Sequence, residues 1–322
     1  MFGMILKLQA FMERLKKRKA LWFTTITTLA FLGIIGTMYY LNSMTSRSTK
    51  NLYEATNASY FYDLESKIAD AMLNLEIVGN MLIQNQEFMK IIDSMETNEN
   101  ISSQLNAVSQ NLAKFDKTEI MIDVYNKNML KIGSSLVGDI LVNQVNGDSL
   151  GLQKALSSQQ LISTIEYEDG KVFIRAIYPT QNGALEVKKT IDFLVDSYKS
   201  NGKIFQVLLD RDVLDMKKMQ AFKHQKVGKF EISVQSKVDD EFLDKIADLD
   251  FDKIVANKYL LTGQYFILAK PILNVDGKRV GLFVIGENTL RDDSLPKMTK
   301  KISTGLTTAA LGLVVALLVL MI

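Results

Sequence analysis

The sequence predicts an α+β protein in which one long helix and two successive mixed modules lie between two membrane-spanning helices. Two uncharged apolar runs lie near the ends of the 322-residue chain, and a proline-free segment with helical spacing follows the first run. Short strand-like segments separated by glycine, asparagine and aspartate turns fill most of the rest. The predicted divisions are residues 1–20, 21–41, 42–117, 118–195, 196–301 and 302–322.

The two apolar runs, Leu21–Leu41 and Ile302–Ile322, contain no charged residue. Each run is long enough, as a helix, to cross a hydrocarbon core about 30 Å thick. Backbone groups find no partners in lipid, so both runs are predicted to be transmembrane helices. The first is expected to stay as an anchor, because no small-x-small cleavage pattern follows it.

The orientation follows from the basic residues beside the first run. Six of them precede it within residues 1–20 and only Glu13 opposes them, which predicts a cytoplasmic tail. The tail has apolar residues at helical spacing, so it either lies along membrane lipid or simply sets the topology. The protein is therefore expected in the bacterial inner membrane as a multi-pass protein, with residues 42–301 in the periplasm.

The segment 42–117 has no proline and a single glycine, Gly79. Its apolar residues recur at three-four spacing: Phe61, Leu64, Ile68, Met72, Leu75, Val78, Leu82, Met89 and Ile92. This pattern predicts a long stalk helix with a seam for a second copy of the chain or for the domain it supports. A homodimer through this helix is expected. A break is predicted at Asn98–Asn100, before a second helix.

Two α+β modules follow the stalk. In residues 118–195, the turns Asp169-Gly170 and Asn182-Gly183 predict hairpins, and Gly151–Gln160 predicts a short helix between strands. In residues 196–301 the last hairpin repeats the pattern of the first. A strand ending in proline is followed by a strand entered through glycine, which indicates two copies of one unit.

This arrangement resembles the double Cache sensor domains of bacterial methyl-accepting chemotaxis proteins and sensor kinases, which consist of two PAS-like modules. The matching segments are LQKALSS, EYEDGKVFIRAIYPTQNGALEVKKTID and YFILAKPILNVDGKRVGLFVIGENTL. The resemblance covers residues 42–301. It implies that the first, membrane-distal module binds a small-molecule ligand in the periplasm and that a conformational signal crosses the membrane, as in chemotaxis.

The resemblance also bears on the ligand. Amino-acid-sensing members typically place an aspartate on the last strand of the distal module, and the spacing from Gly183 puts Lys188 there. A cation at that position, together with Arg175, favours an anionic ligand such as a small carboxylate. The alternative is that Lys188 is an exposed surface residue.

The candidate ligand-binding residues are Tyr167, Arg175, Tyr178 and Lys188. Arg175 can hold a carboxylate with two hydrogen bonds, and the phenols can orient it. Strand alternation places Arg175 and Tyr178 on opposite faces of a sheet, so both line one pocket only if the strand bends near Pro179. Each tyrosine is equally well explained as a half-buried residue of a β surface.

Catalytic chemistry is not expected, because the chain has no cysteine and no G-x-S-x-G motif. Its one histidine, His224, lies in a polar run. The acidic segment Asp239–Lys253 lacks the glycine and the glutamate of a calcium loop, so an amphipathic helix is expected instead. No enzyme, cofactor or metal is therefore predicted. A nucleic-acid partner is not expected in the periplasm, and the formal net charge of +2 gives no reason to expect one.

The output of the predicted receptor is expected from a cytoplasmic domain or partner protein that the sequence up to Ile322 does not contain. The alternative from another class is a membrane-anchored structural or adaptor protein. Such a protein would use sensor-like modules to dock a protein partner in the periplasm.

Overall fold

The computed structural model describes residues 2–93, 98–114, 119–136, 146, 149–168, 171–211, 226–233, 239–291 and 294–321. The chain divides into two compact units, which are described separately. One unit contains Met1–Ala55 and Leu290–Ile322, and the other contains Thr56–Thr289. The second unit holds both predicted modules.

Three helices precede the first sheet: α1 (Phe2–Gln84), α2 (Gln86–Asp93) and α3 (Asn98–Ala113). The predicted break at Asn98–Asn100 is wrong, because these residues form the first turn of α3. An earlier interruption lies at Asn85, and α2 ends at Asp93; residues 94–97 lie outside the described part of the chain. The Asn85 side-chain oxygen accepts hydrogen bonds from the backbone N–H groups of Glu87 and Phe88 at 3.1 and 3.2 Å and caps α2.

The distal module is a five-stranded antiparallel sheet with strand order β2-β1-β5-β4-β3. Its elements, in chain order, are β1 (Met121–Asn126), β2 (Lys131–Ser134), α4 (Leu150–Ser158), β3 (Ile162–Glu168), β4 (Lys171–Thr180) and β5 (Gly183–Thr190). The hairpin predicted at Asn182-Gly183 is confirmed, since Thr180 pairs with Gly183 across the turn. The turn Asp169-Gly170 lies outside the described residues.

The second predicted module, residues 196–301, is called the proximal module, and it is a six-stranded antiparallel sheet with strand order β7-β8-β6-β11-β10-β9. Its elements are α5 (Asp192–Ser200), β6 (Lys203–Asp210), β7 (Lys226–Val227), β8 (Phe230–Ile232), α6 (Asp240–Ile246), α7 (Phe251–Asn257), β9 (Leu260–Leu261), β10 (Tyr265–Leu273) and β11 (Arg279–Asn288). Two antiparallel sheets in tandem confirm the two-module part of the predicted fold. A last helix, α8 (Leu295–Met321), belongs to the other compact unit.

The acidic segment that begins at Asp239 forms two short helices rather than one. The Asp239 carboxylate caps α6 by accepting a hydrogen bond from Phe242 N at 2.9 Å, and the Asp250 carboxylate caps α7 in the same way through Lys253 N. Phe242 lies in the apolar core beneath the proximal sheet. The amphipathic character predicted for this segment is therefore confirmed.

The three-four seam of α1 packs on the chain's own modules. Leu64 and Leu75 are fully buried, and Ile68 and Met72 line a groove with β3 and the β10–β11 hairpin. Gly79 lies directly against the ring of Tyr178 on β4. The seam therefore serves the domain that the helix supports, which was one of the two alternatives that the sequence left open.

Among the residues that the structure describes, no helix is both long enough and apolar enough to cross a membrane. The two predicted spans stay predictions from the sequence.

Candidate functional site

The candidate site is one face of the distal sheet. Alternation along the strands gives this sheet two faces. One face packs on α1, and the other lies beneath α4, whose residue Gly151 contacts β3. Seven charged side chains, contributed by all five strands, meet on the face beneath α4: Asp123, Lys131, Glu166, Glu168, Arg175, Glu186 and Lys188. We call this set the charged face.

Arg175 lies at the centre of the charged face and is only 1% exposed. Its Nη1 atom donates to Glu186 Oε1 at 2.9 Å, and its Nη2 atom donates to Glu168 Oε2. A third carboxylate, Glu166, lies 3.5 Å from Nη1. Burial alone would lower the pKa of the guanidinium, but the three carboxylates raise it by more, so the pKa lies above its usual value. Arg175 is thus a permanent buried cation whose charge is balanced by carboxylates.

Lys188 is also buried, at 3% exposure, so the alternative of an exposed surface lysine is wrong. Its Nζ atom lies 2.7 Å from Asp123 Oδ2, 2.7 Å from Glu168 Oε2 and 3.3 Å from Glu186 Oε2. Burial alone would lower the pKa of Lys188, but these carboxylates raise it above its usual value. The lysine therefore stays charged at neutral pH.

The pKa values of two acidic partners shift in the opposite direction, below their usual range. Burial would raise the pKa of Asp123, but Lys188 and Lys131 lower it overall. Burial would likewise raise the pKa of Glu168, but Arg175 and the two lysines lower it well below its usual range. Since both carboxyls stay ionised at neutral pH, the charged face is a network of ion pairs and not of neutral hydrogen bonds.

The charged face is joined to α4 through Glu166. This carboxylate accepts a hydrogen bond from Ser149 Oγ at 2.8 Å and another from the backbone N–H of Gly151, in the first turn of α4. Ser149 is itself the N-cap of α4. Negative charge is favourable at a helix N-terminus, so the position of α4 depends on a residue that also lies beside Arg175.

Of the four predicted site residues, the structure brings together Arg175 and Lys188, which are paired in register on β4 and β5. Tyr178 lies on the opposite face, as strand alternation predicted, and its hydroxyl donates to the Glu76 carbonyl at 2.5 Å. Burial, followed by the charge of Glu76, raises the pKa of Tyr178 to about 12. Tyr167 is half-buried and alternates with Glu166 and Glu168, so it also faces away from them.

Sequence reasoning missed five members of the charged face: Asp123, Lys131, Glu166, Glu168 and Glu186. A signal for three of them was present. Glu166 and Glu168 alternate with other residues on one strand, and Glu186 and Lys188 do the same on another. Acidic and basic residues at alternate positions of two strands indicate a shared charged face. Whether such a face meets water or a covering helix is decided by the tertiary fold.

The carboxylates of the charged face are not arranged as the ligands of a metal ion. In the described part of the chain, no group of three or more histidine, aspartate or glutamate residues is arranged to hold a metal ion. The carboxylates of the charged face are directed instead at arginine and lysine side chains.

No family model matches the chain, and no curated protein matches it. Among solved structures, it is similar to a domain of a sensory box/GGDEF family protein from Vibrio parahaemolyticus, with 13% identity and a TM-score of 0.46 over 73% of this chain and 97% of that chain. It is also similar to the sensor domain of the V. cholerae histidine kinase DctB, with 11% identity and a TM-score of 0.43 over 74% and 99%.

A third similar structure is the ligand-binding domain of the Campylobacter jejuni chemoreceptor Tlp3 in complex with L-norvaline, with 13% identity and a TM-score of 0.36 over 79% of this chain and 95% of that chain. The similar structures are extracellular or periplasmic sensor domains. The long helix and the two tandem antiparallel modules are the arrangement that the sequence resemblance predicted.

Proposed function

We propose that the chain is the sensing part of a bacterial transmembrane receptor. Its distal module binds a small molecule beneath α4 in the periplasm, and the two predicted spans anchor it in the inner membrane. A ligand changes the packing of the module only to the extent that it binds one packing more tightly than the other. The resulting shift is transmitted through the second span to a cytoplasmic output domain or partner, as in chemotaxis or kinase signalling.

The observation that carries this proposal is a set of six buried charged residues, with a seventh, Glu168, half-buried beside them, on the sheet face that α4 covers. Buried ion pairs often contribute less to stability than apolar residues of the same volume, because both charges lose their hydration. Buried charged clusters whose members have shifted pKa values are typical of binding sites. Nothing in the fold requires this face to be charged, since the opposite face of the same sheet is apolar and packs on α1.

The charged face does not favour the anionic ligand that the sequence predicted. That prediction rested on Arg175 and Lys188 as available cations. Both are already paired with carboxylates at 2.7–2.9 Å. An anion could use them only by displacing one of these carboxylates.

Calorimetric titration of the full chain in detergent micelles against a panel of small metabolites tests the proposed function. At least one compound is expected to bind with a dissociation constant in the micromolar range, about −8 kcal/mol. A folded protein that binds no compound, and that instead purifies from membranes with one stoichiometric protein partner, would support the adaptor function.

A homodimer is proposed as the assembly that carries the signal. A second apolar stripe of α1 faces solvent rather than the modules: Tyr62, Leu73, Ile77 and Met81. Exposed apolar residues at helical spacing are typical of a helix with a partner. Because both copies would leave the same membrane, their helices would pack in parallel along this stripe.

The double variant Leu73→Lys/Ile77→Lys is expected to be monomeric where the wild-type chain is dimeric, as measured by sedimentation in detergent. Lysine cannot be buried in such a helix seam without a partner for its charge. The matched control is Leu261→Lys, which changes another exposed apolar residue, on β9, and should leave the dimer intact. A monomeric wild-type chain would contradict the proposed assembly.

A further inference from the structure

The charged face carries unequal numbers of acidic and basic groups. Four carboxylates lie there against three cations, which gives a net charge of −1. The N-terminus of α4, which binds Glu166, supplies only about half of a positive charge. The buried face therefore keeps an excess of negative charge even when the helix is included.

The chain segment between β2 and α4 brings no further cation to this face. Between Lys131 and Lys154 the sequence contains no lysine, arginine or histidine, but it contains Asp139 and Asp148. Most of this segment, residues 137–145 and 147–148, lies outside the described part of the chain. Its composition alone shows that it can only add negative charge.

The buried Asp123 carboxylate has no hydrogen-bond donor on either oxygen among the described residues, although two ammonium groups lie close to one of them. Asp123 is 1% exposed, and the ammonium groups of Lys188 and Lys131 lie 2.7 and 3.1 Å from its Oδ2 atom. The Oδ1 atom has no hydrogen-bond partner among the described residues. Since a buried acceptor without a donor is costly, Oδ1 is a place where a donor on a ligand would be bound favourably.

A second unpartnered atom is a hydrogen-bond donor, and it belongs to a group whose charge is already paired. The Nε atom of Arg175 also lacks a hydrogen-bond partner within the described residues. The charge of this guanidinium is already shared by Glu186, Glu168 and Glu166. A neutral oxygen, such as a hydroxyl or carbonyl, satisfies Nε without adding a negative charge to the face.

We infer that the small molecule bound beneath α4 carries a positively charged amine, which pairs with Asp123 Oδ1, and no carboxylate. A monocation brings the net charge of the buried face from −1 to zero, whereas a carboxylate brings it to −2. In a buried site this difference decides which ligand enters, because charges there are poorly screened. The inference rests on the proposed function and names the ligand class of the same site.

The test is calorimetric titration of the full chain in detergent micelles with matched pairs of compounds. Ethanolamine is compared with glycolate, and putrescine with succinate, so that size is kept and the charge is reversed. At least one amine is expected to bind and neither carboxylate. N-acetylethanolamine lacks the positive charge, and its affinity should be lower than that of ethanolamine by about tenfold or more.

The variant Asp123→Asn removes one negative charge at nearly constant volume and should weaken amine binding by about tenfold or more. The control Asp252→Asn changes an exposed aspartate of the proximal module and should bind like the wild-type chain. If Asp123→Asn does not fold, Glu186→Gln and the acetylated compound still test the role of charge.

Three results would overturn the inference. Binding of a carboxylate but no amine would contradict the ligand class, while the proposed sensing function would stand. Equal amine affinities for Asp123→Asn and the wild-type chain would contradict the role of Asp123. Failure of a folded protein to bind any amine or any other compound of the metabolite panel would overturn both the inference and the proposed function.

Discussion

Replacing Arg175 with methionine is expected to lower the free energy of unfolding by about 3–5 kcal/mol, as measured by urea denaturation. Methionine keeps much of the side-chain volume but removes the positive charge at the centre of the charged face. Glu186 and Glu168 then lose a partner at a position where water does not replace it, since Arg175 is 1% exposed. The cost comes mainly from the carboxylates left behind rather than from the lost attraction.

The control for this change is Lys229→Met. Lys229 pairs with Asp252 on the proximal module, and both side chains are 52% exposed. Exposed ion pairs contribute about 0–1 kcal/mol, so only a small loss is expected there. The double variant Arg175→Met/Glu186→Gln should recover part of the stability by removing one of the unpaired charges. Equal losses for Arg175→Met and Lys229→Met would contradict the structural role of the charged face.

Replacing Gly79 with alanine is expected to destabilise the protein by about 1–3 kcal/mol, although alanine is the better helix former by about 1 kcal/mol. A Cβ atom at this position would overlap Cε2 of the Tyr178 ring. The ring cannot move away easily, because it is buried and its hydroxyl is bound to the Glu76 carbonyl. The helix and the distal sheet must then separate locally.

A double-mutant cycle makes the cause of this loss measurable. In the Tyr178→Leu background, Gly79→Ala should cost less than in the wild-type chain, because the smaller side chain leaves room for the methyl group. Asn80→Ala, at the exposed neighbouring position, serves as the control and should not destabilise. A Gly79→Ala protein as stable as the wild type, by thermal denaturation, would contradict the contact between α1 and β4.

The sequence predicted the tandem modules well because their signals are local. The turn at Asn182-Gly183 acts within a few residues, so it is visible in the sequence. The cap at Asp250 is equally local, but it was not predicted, and it divides the expected single helix into two. The helix break was misplaced because asparagine is common both at breaks and at helix starts. Only the structure shows that the Asn85 side chain caps a new helix, whereas Asn98 begins α3.

Only part of the candidate site could be predicted, because strand register decides which of its charged side chains pair with one another. Arg175 and Lys188 were correctly placed in one module, and alternation correctly separated Arg175 from Tyr178. Their neutralisation by Asp123 and Glu168 could not be predicted. Asp123 reaches Lys188 from a strand that lies far earlier in the sequence and is brought beside β5 by the fold. A charge that appears available in the sequence is therefore paired in the structure.

The central claim is that the distal module binds a small molecule beneath α4, and hydrogen exchange of the full chain with and without a saturating ligand tests it most directly. Exchange is expected to slow for backbone amides of Leu150–Ser158 and of β4 and β5, which surround the charged face. Amides of α6 and α7 in the proximal module should not change. Protection confined to the proximal module, or no protection at saturation, would contradict the proposed site.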